Sequence, residues 1–407
     1  MTLSQVANVE QVKQVNSALV YRLINEQGPL SRVRLAELSA LAPASITKLS
    51  RQLLEAGLIR ELEESTPTGG RPAIALACQD ETLGLVAGRL GRDRLQLSLY
   101  NLKGEELANQ QWPVSVTEQQ AVMDQLLQTL GDFIAQYGQR LQRLIAVGLT
   151  MPGLIDPQQG MVFYMPRYQL RELALGPWLA ERLGLPVYLG NDTRAHALAE
   201  HLIGAAQGCH DAILVSVHQG TGAGILSNGR IFLGKNSNVG EIGHIQVEPF
   251  GQRCHCGNFG CLETIVANPA ILGRTAQLLA QGHPSQLAAD NLTIEALCQA
   301  AQAGDPLARH VLEHAAEQLG RTLAIMVNLF NPQKLLLAGE IMQCRDILWP
   351  VLQRCIDQQS LPSFHQDLPI ELARFQHAGT IGGYALIKRA LYESDLLQRL
   401  MTPSVTE

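Results

Sequence analysis

GEIGHIQVEPFGQRCHCGNFGCLETI, residues 240–265, gathers one histidine and three of the chain's eight cysteines. Cys254, Cys256 and Cys261 form a C-x-C-x4-C pattern, and His244 stands ten residues upstream. Three thiolates and one imidazole complete a tetrahedral zinc shell with no open position, so the expected ion is structural, one per chain. Gly251, Gly257 and Gly260 stand among the ligands and let the backbone wrap a small ion. The bland alternative is chance clustering of reduced cysteines. The other five, Cys78, Cys209, Cys298, Cys344 and Cys355, are scattered and read as small core hydrophobes.

The chain around this stretch has 407 residues, 46% hydrophobic and 17% charged, enough for two or three cores. The N-terminal MTLSQVANVEQVKQ has no apolar signal core, and no run approaches eighteen apolar residues. The expectation is a cytoplasmic protein without membrane insertion, where clustered cysteines ligate metal more often than they pair.

The N-terminal segment has its own pattern. Val12, Val15, Leu19 and Leu23 recur at helical spacing, and Gly28-Pro29 ends that helix. Ser31 is positioned to cap a short helix carrying Val33, Leu35 and Leu38. After the turn Ala40–Ala42, Pro43 opens a second helix, with Ile46, Leu49 and Leu53 inward and Gly57 as its stop. This is a helix-turn-helix, whose second helix enters the major groove of DNA. Ser45 and Thr47 suit base edges; Lys48 and Arg51 suit phosphates. Residues 58–62 and 71–77 read as wing strands, and Gly69, Gly70 and Arg71 at the intervening loop suit a minor groove. Residues 1–77 hold eight Lys or Arg against seven Asp or Glu, a net of +1, while the remainder carries −7. That weak footprint leaves dimerisation to supply much of any DNA affinity. A small helical bundle with a solvated face is the alternative.

From residue 82 the pattern becomes α/β: three short strands in meander, a helix near 117–138, the strand LIAVGLTMPG, another ending at Asn191 and Asp192, and a hairpin with a glycine-rich turn at 220–224. Two similar α/β lobes around a cleft are expected, where ligands commonly sit. Read alone, Asn191 and Asp192 are equally a strand-end turn or helix cap.

Residues 82–395 resemble the ROK family, named for repressors, open reading frames and sugar kinases. The motifs are LTMPGLID (149–156), GND (190–192), GTGAG (220–224), GEIGH (240–244) and CHCGNFGCLE (254–263). With the head added, and with LAPASITK (41–48) and STPTGGR (65–71), the chain looks most like the family's N-acetylglucosamine-responsive repressors. The resemblance implies an α/β fold: an N-terminal winged helix-turn-helix (1–80), then a two-lobed actin- or hexokinase-like (RNase H-like) body. Its first lobe would span 81–195, with a helix at 380–397 as a candidate to return to it, and its second 196–380. The resemblance also implies a sugar pocket at Asn191, Asp192, Glu241, His244 and Glu263. The partners implied are operator DNA, N-acetylglucosamine 6-phosphate and a second or fourth copy of the chain.

The family's kinases carry an Asp-x-Gly-Gly-Thr phosphate loop. Here its place holds Arg89-Leu90-Gly91-Arg92-Asp93, and Glu340 interrupts a glycine cluster on the nucleotide side. Large side chains there block backbone approach to ATP, so a sensor without catalytic residues is expected. Arg89 and Arg92 are either surface residues or partners of a sugar 6-phosphate, although Asp192 nearby would oppose that anion. The rivals are an active sugar kinase with an added head, and a glucose-linked repressor captured by a membrane transporter's cytoplasmic domain.

Overall fold

The structure, a computed structural model, describes residues 9–63, 74–393 and 395–402. Gly69, Gly70 and Arg71 of the expected wing loop lie outside the described residues. Contacts divide the chain into two units: Met1–Gly153 with Pro157–Gly190 and Thr380–Glu407, and Leu154–Asp156 with Asn191–Gly379. The expected lobe boundary at 195 runs through helix Asp192–Ile203, which packs on strand Thr221–Ser227 and goes with the second unit.

In the first unit, helix Val9–Gln27 precedes helix Arg32–Ser39, whose first turn is capped by the Ser31 hydroxyl accepting the Arg34 amide at 3.2 Å. Such a cap is worth about 1 kcal/mol. Ala40, at φ 55°, turns the chain into helix Pro43–Glu55. Leu35, Ile46 and Leu53 are fully buried between these helices and the three-stranded sheet of Leu30–Ser31, Ile74–Cys78 and Ile59–Glu63. This helix-turn-helix with its wing strands matches the sequence reading.

The face of the first helix does not. Val12 and Val15 are exposed, and Ala18, Val20, Tyr21 and Ile24 are buried instead. The helix packs on Arg32–Ser39, Pro43–Glu55 and Ile74–Cys78, and also on Ile381–Tyr392 and Asp395–Met401 near the other end of the chain. Val33 is likewise exposed.

The body of this unit is a five-stranded sheet in the order Val187–Asn191, Arg143–Met151, Leu83–Leu90, Arg94–Asn101, Glu106–Pro113. Helix Gln119–Tyr137 buries Leu126, Leu130 and Phe133. Helix Ile381–Tyr392 packs on the two central strands so closely that a Cβ on Gly148 would strike the Gly383 carbonyl.

The second unit holds the other five-stranded sheet, in the order Arg230–Ile231, Thr221–Ser227, Ala212–Val217, Lys334–Gly339, Ile370–Leu372. Ala212–Val217 runs antiparallel to Thr221–Ser227 and parallel to Lys334–Gly339, which is parallel to Ile370–Leu372. Helices Pro306–Phe330 and Arg345–Gln359 pack together above a core that includes Leu312, Leu319, Leu323 and Leu352. The expectation that Cys298 and Cys344 are merely small core hydrophobes is corrected. They form a disulfide, because helix Ile294–Gln302 packs against the turn Glu340–Cys344 and brings their Cα atoms to 5.4 Å. Among the described residues, no helix is long and apolar enough to cross a membrane.

Candidate functional site

His244 closes a single 3-10 turn, Ile242–His244. The next strand-like stretch is strapped to the cysteine loop by backbone bonds from Val247 to Gly260 and from Leu262 to Ile245, each 2.8 Å. The loop itself closes through Cys254–Asn258 (2.7 Å) and Cys254–Gly257 (3.0 Å). These bonds bring His244, Cys254, Cys256 and Cys261 together, with all four candidate ligand atoms within 4.8 Å of one another. Cys256 Sγ and Cys261 Sγ are 3.7 Å apart, and His244 Nδ1 is 3.6 Å from Cys254 Sγ. A tetrahedral shell with Zn–S of about 2.3 Å has edges of roughly 3.8 Å, so the donor set fits zinc in both chemistry and spacing. Burial pushes the Cys261 thiol up to about 12, while the Asn258 amide draws Cys256 down.

The loop delivers Glu263 two residues past its last cysteine, at the start of helix Glu263–Val266. Glu263 Oε2 accepts the Thr221 amide at 3.0 Å, which ties it to the glycine turn, and its Oε1 lies 3.2 Å from His255 Nδ1. Gly220 leaves room for this: a Cβ there would meet Glu263 Oε2 at 2.8 Å. Asn191 caps helix Asp192–Ile203, its Oδ1 accepting the amides of Thr193 (3.1 Å) and Arg194 (3.2 Å); Asp192 Oδ1 also accepts from Thr193 (2.9 Å). The helix-cap alternative is therefore realised for Asn191.

Arg194 was missed by the sequence reading. Its side chain is only 7% exposed, with Nη2 3.0 Å from Glu241 Oε1 and Nε donating to the Val239 carbonyl at 2.9 Å. Burial lowers this guanidinium, and the nearby charges of Glu241 and Asp192 counter it. It thus holds one expected sugar carboxylate beside another. Its signal was an arginine three places after Asn191 on an alanine-rich helix. His255, between two ligands in the loop, was also overlooked.

Arg89 lies in strand Leu83–Leu90, half-buried and paired in register with Gln96 and Thr150. Arg92 is exposed in the turn that follows, where Gly91 donates to the Arg94 carbonyl at 2.8 Å and Asp93 pairs with Arg94 at 3.0 Å. Glu340 follows strand Lys334–Gly339. Burial would raise its carboxyl, but the hydrogen bond and charge of His218, with the Asn268 amide, outweigh that and hold it at about 2. On the helix-turn-helix, Thr47, Lys48 and Arg51 are exposed and Ser45 is half-buried; Thr47 Oγ1 donates to the Pro43 carbonyl at 2.9 Å.

Comparison with known proteins agrees with this layout. The chain is 48% identical over 398 residues to the DNA-binding transcriptional dual regulator NagC of Escherichia coli K12, covering 98% of both chains. A solved ROK family transcriptional regulator, a homologue of the E. coli MLC protein, superposes with a TM-score of 0.90 at 43% identity, covering 96% of this chain and 99% of that one. The ROK hexokinase of Thermus thermophilus superposes with a TM-score of 0.61 at 28% identity, covering 74% of this chain and 97% of its own. The ROK family pattern itself matches residues 85–390, and the chain belongs to the ROK family.

Proposed function

We propose that the chain is a sugar-responsive DNA-binding transcriptional regulator. In this reading it is mainly a repressor of N-acetylglucosamine uptake and catabolism genes, released from its operators by N-acetylglucosamine 6-phosphate. The observation that carries the reading is the exposed row of Thr47, Lys48 and Arg51 on the second helix of a helix-turn-helix that lies outside the matched ROK segment. A sugar kinase has no use for such a face. Two heads, held by a homodimer or homotetramer, address half-sites related by two-fold symmetry. Base edges fall to Ser45 and Thr47, phosphates to Lys48 and Arg51, and a minor groove to Gly69, Gly70 and Arg71.

Asn191, Asp192, Glu241, His244 and Glu263 take the sugar hydroxyls. Hydrogen bonds between a carboxylate and a hydroxyl contribute about 1.5–3 kcal/mol each, and a bidentate Glu suits a vicinal diol. Arg194 orients Glu241, and the Thr221 amide orients Glu263. One zinc, held by His244, Cys254, Cys256 and Cys261, fixes the His244 tautomer and the path of the loop to Glu263, and supplies no reaction chemistry. By linkage, sugar phosphate and operator weaken each other by the same factor, on the order of 1–3 kcal/mol.

The body keeps the sugar half of a kinase site and lacks the nucleotide half. Support comes from Arg92 and Asp93, where the family's loop has glycine and threonine, and from Glu340 paired with His218. The test is a gel shift on a duplex from an N-acetylglucosamine catabolic promoter, run beside an ADP-release assay. Retardation that N-acetylglucosamine 6-phosphate relieves, with no ADP released from ATP and N-acetylglucosamine, is expected. Turnover of ATP together with an unshifted duplex would make the chain a kinase and end this reading.

A further inference from the structure

Strands Ala212–Val217, Lys334–Gly339 and Ile370–Leu372 run parallel side by side, so their carboxyl ends lie along one edge of the sheet. Val217 pairs with Gly339, and the residues next in line are His218 and Glu340. The third strand leads into a segment that carries His377. His218 Nδ1 is 2.6 Å from Glu340 Oε2, and His377 Nδ1 is 3.7 Å from Glu340 Oε1. The two imidazole rings sit 5.4 Å apart at 36°, and one donor atom from each of the three residues lies within 4.8 Å of the others. The carboxyl ends of parallel strands are where open α/β sheets bind ligands.

We propose that His218, Glu340 and His377 form a second cation site, separate from the Cys3His cluster, that takes a divalent transition metal of the zinc, cobalt or nickel kind. An ion pair between His218 and Glu340 accounts for only part of the arrangement. It leaves a second imidazole turned toward the remaining oxygen of the same carboxylate. Two imidazoles and one carboxylate are a common ligand set for borderline cations, which prefer nitrogen with some oxygen. The cation replaces the proton shared by His218 Nδ1 and Glu340 Oε2. With metal–ligand bonds of about 2.0–2.2 Å that pair widens to roughly 3.4 Å, within reach of side-chain rotation. Asn268 already supports the carboxylate from behind, Nδ2 donating to Glu340 Oε2 at 2.7 Å, as outer partners of metal ligands do. His377, 66% exposed, stands on the solvent side and offers a way in. Three protein ligands leave a coordination position for water or an anion, unlike the closed Cys3His set. A bare phosphate is disfavoured here, because Glu340 would face it as a like charge.

The site does not depend on the DNA or sugar reading. The test uses full-length protein already carrying one zinc per chain, titrated with CoCl2 by calorimetry and followed by visible absorption. One further equivalent is expected, with ligand-field bands and no thiolate-to-cobalt charge transfer. His377→Gln, a change at an exposed position, should weaken that second equivalent by more than about tenfold while leaving the first zinc and the thermal midpoint in place. His218→Gln should abolish it. No second equivalent, a second equivalent with thiolate charge transfer, or one that His377→Gln does not weaken would each overturn the proposal. So would inorganic phosphate binding that His377→Gln removes without any cobalt binding.

Discussion

Arg89 and Arg92 occupy neighbouring places in the first unit but have different surroundings. Arg89 is half-buried on a central strand; Arg92 is exposed on a turn whose backbone carbonyl accepts from Arg167 Nε at 2.9 Å. If the sugar's 6-phosphate sits here, the more enclosed arginine contributes more, since charge pairing strengthens as water is excluded. Replacing both with Ala should then weaken N-acetylglucosamine 6-phosphate by at least tenfold in a calorimetric titration; unchanged affinity removes both from the phosphate. At this scale the sequence was readable where partners are neighbours. His244, Cys254, Cys256 and Cys261 lie within eighteen positions, and their spacing is that of metal ligands. Ser31 and Arg34 are three residues apart, a spacing that capping dictates. Arg194 was not readable as the holder of Glu241, 47 positions on, because nothing local to either residue encodes the meeting. The Cys298–Cys344 bond, 46 positions long, was hidden for the same reason.

Helix Pro43–Glu55 has a clean division of faces, with Ile46, Leu49 and Leu53 inside and Thr47, Lys48 and Arg51 outside. Helices with one apolar stripe declare their buried side, and this one was legible for that reason. Helix Val9–Gln27 was misread because apolar residues lie on more than one face, and packing against several elements of the head and the C-terminal helices buries Ala18, Tyr21 and Ile24 and leaves Val12 and Val15 exposed. The DNA reading makes a separable forecast for the second helix. Lys48→Ala and Arg51→Ala should weaken operator and unrelated duplex alike, each reducing the slope of log affinity against log salt by about 1. Fluorescence anisotropy between about 50 and 200 mM salt measures this. A slope that neither change alters would place the DNA elsewhere.

Across the whole molecule, the head is not an appendage on a linker. Asn25 accepts the Tyr392 hydroxyl at 2.6 Å, and Lys388 is half-buried near Asp80, Glu26 and Cys78, which offset part of the lowering that desolvation imposes on it. Helix Asp395–Met401 buries Leu396, Leu397 and Leu400 and touches both Val9–Gln27 and Pro43–Glu55. Removing residues 395–407 should cost several kcal/mol, at about 1.5–3 kcal/mol per buried leucine, and should weaken operator binding. Urea unfolding beside a gel shift checks it; an unchanged midpoint with unchanged retardation would show that the helix is dispensable. The α/β meander, the glycine hairpin and the winged head were legible as patterns, since each is local. The return of the C-terminal helix to the first unit was among the sequence's candidates, and residues 1–153, 157–190 and 380–407 do form one unit; the boundary at 191 and the passage of 154–156 into the second unit were not legible. That interleaving has a consequence during synthesis. The helices of residues 9–55 are synthesised long before Ile381–Tyr392 and Asp395–Met401, which pack on them from more than three hundred residues further along, so a prematurely stopped polypeptide carries the head without those contacts.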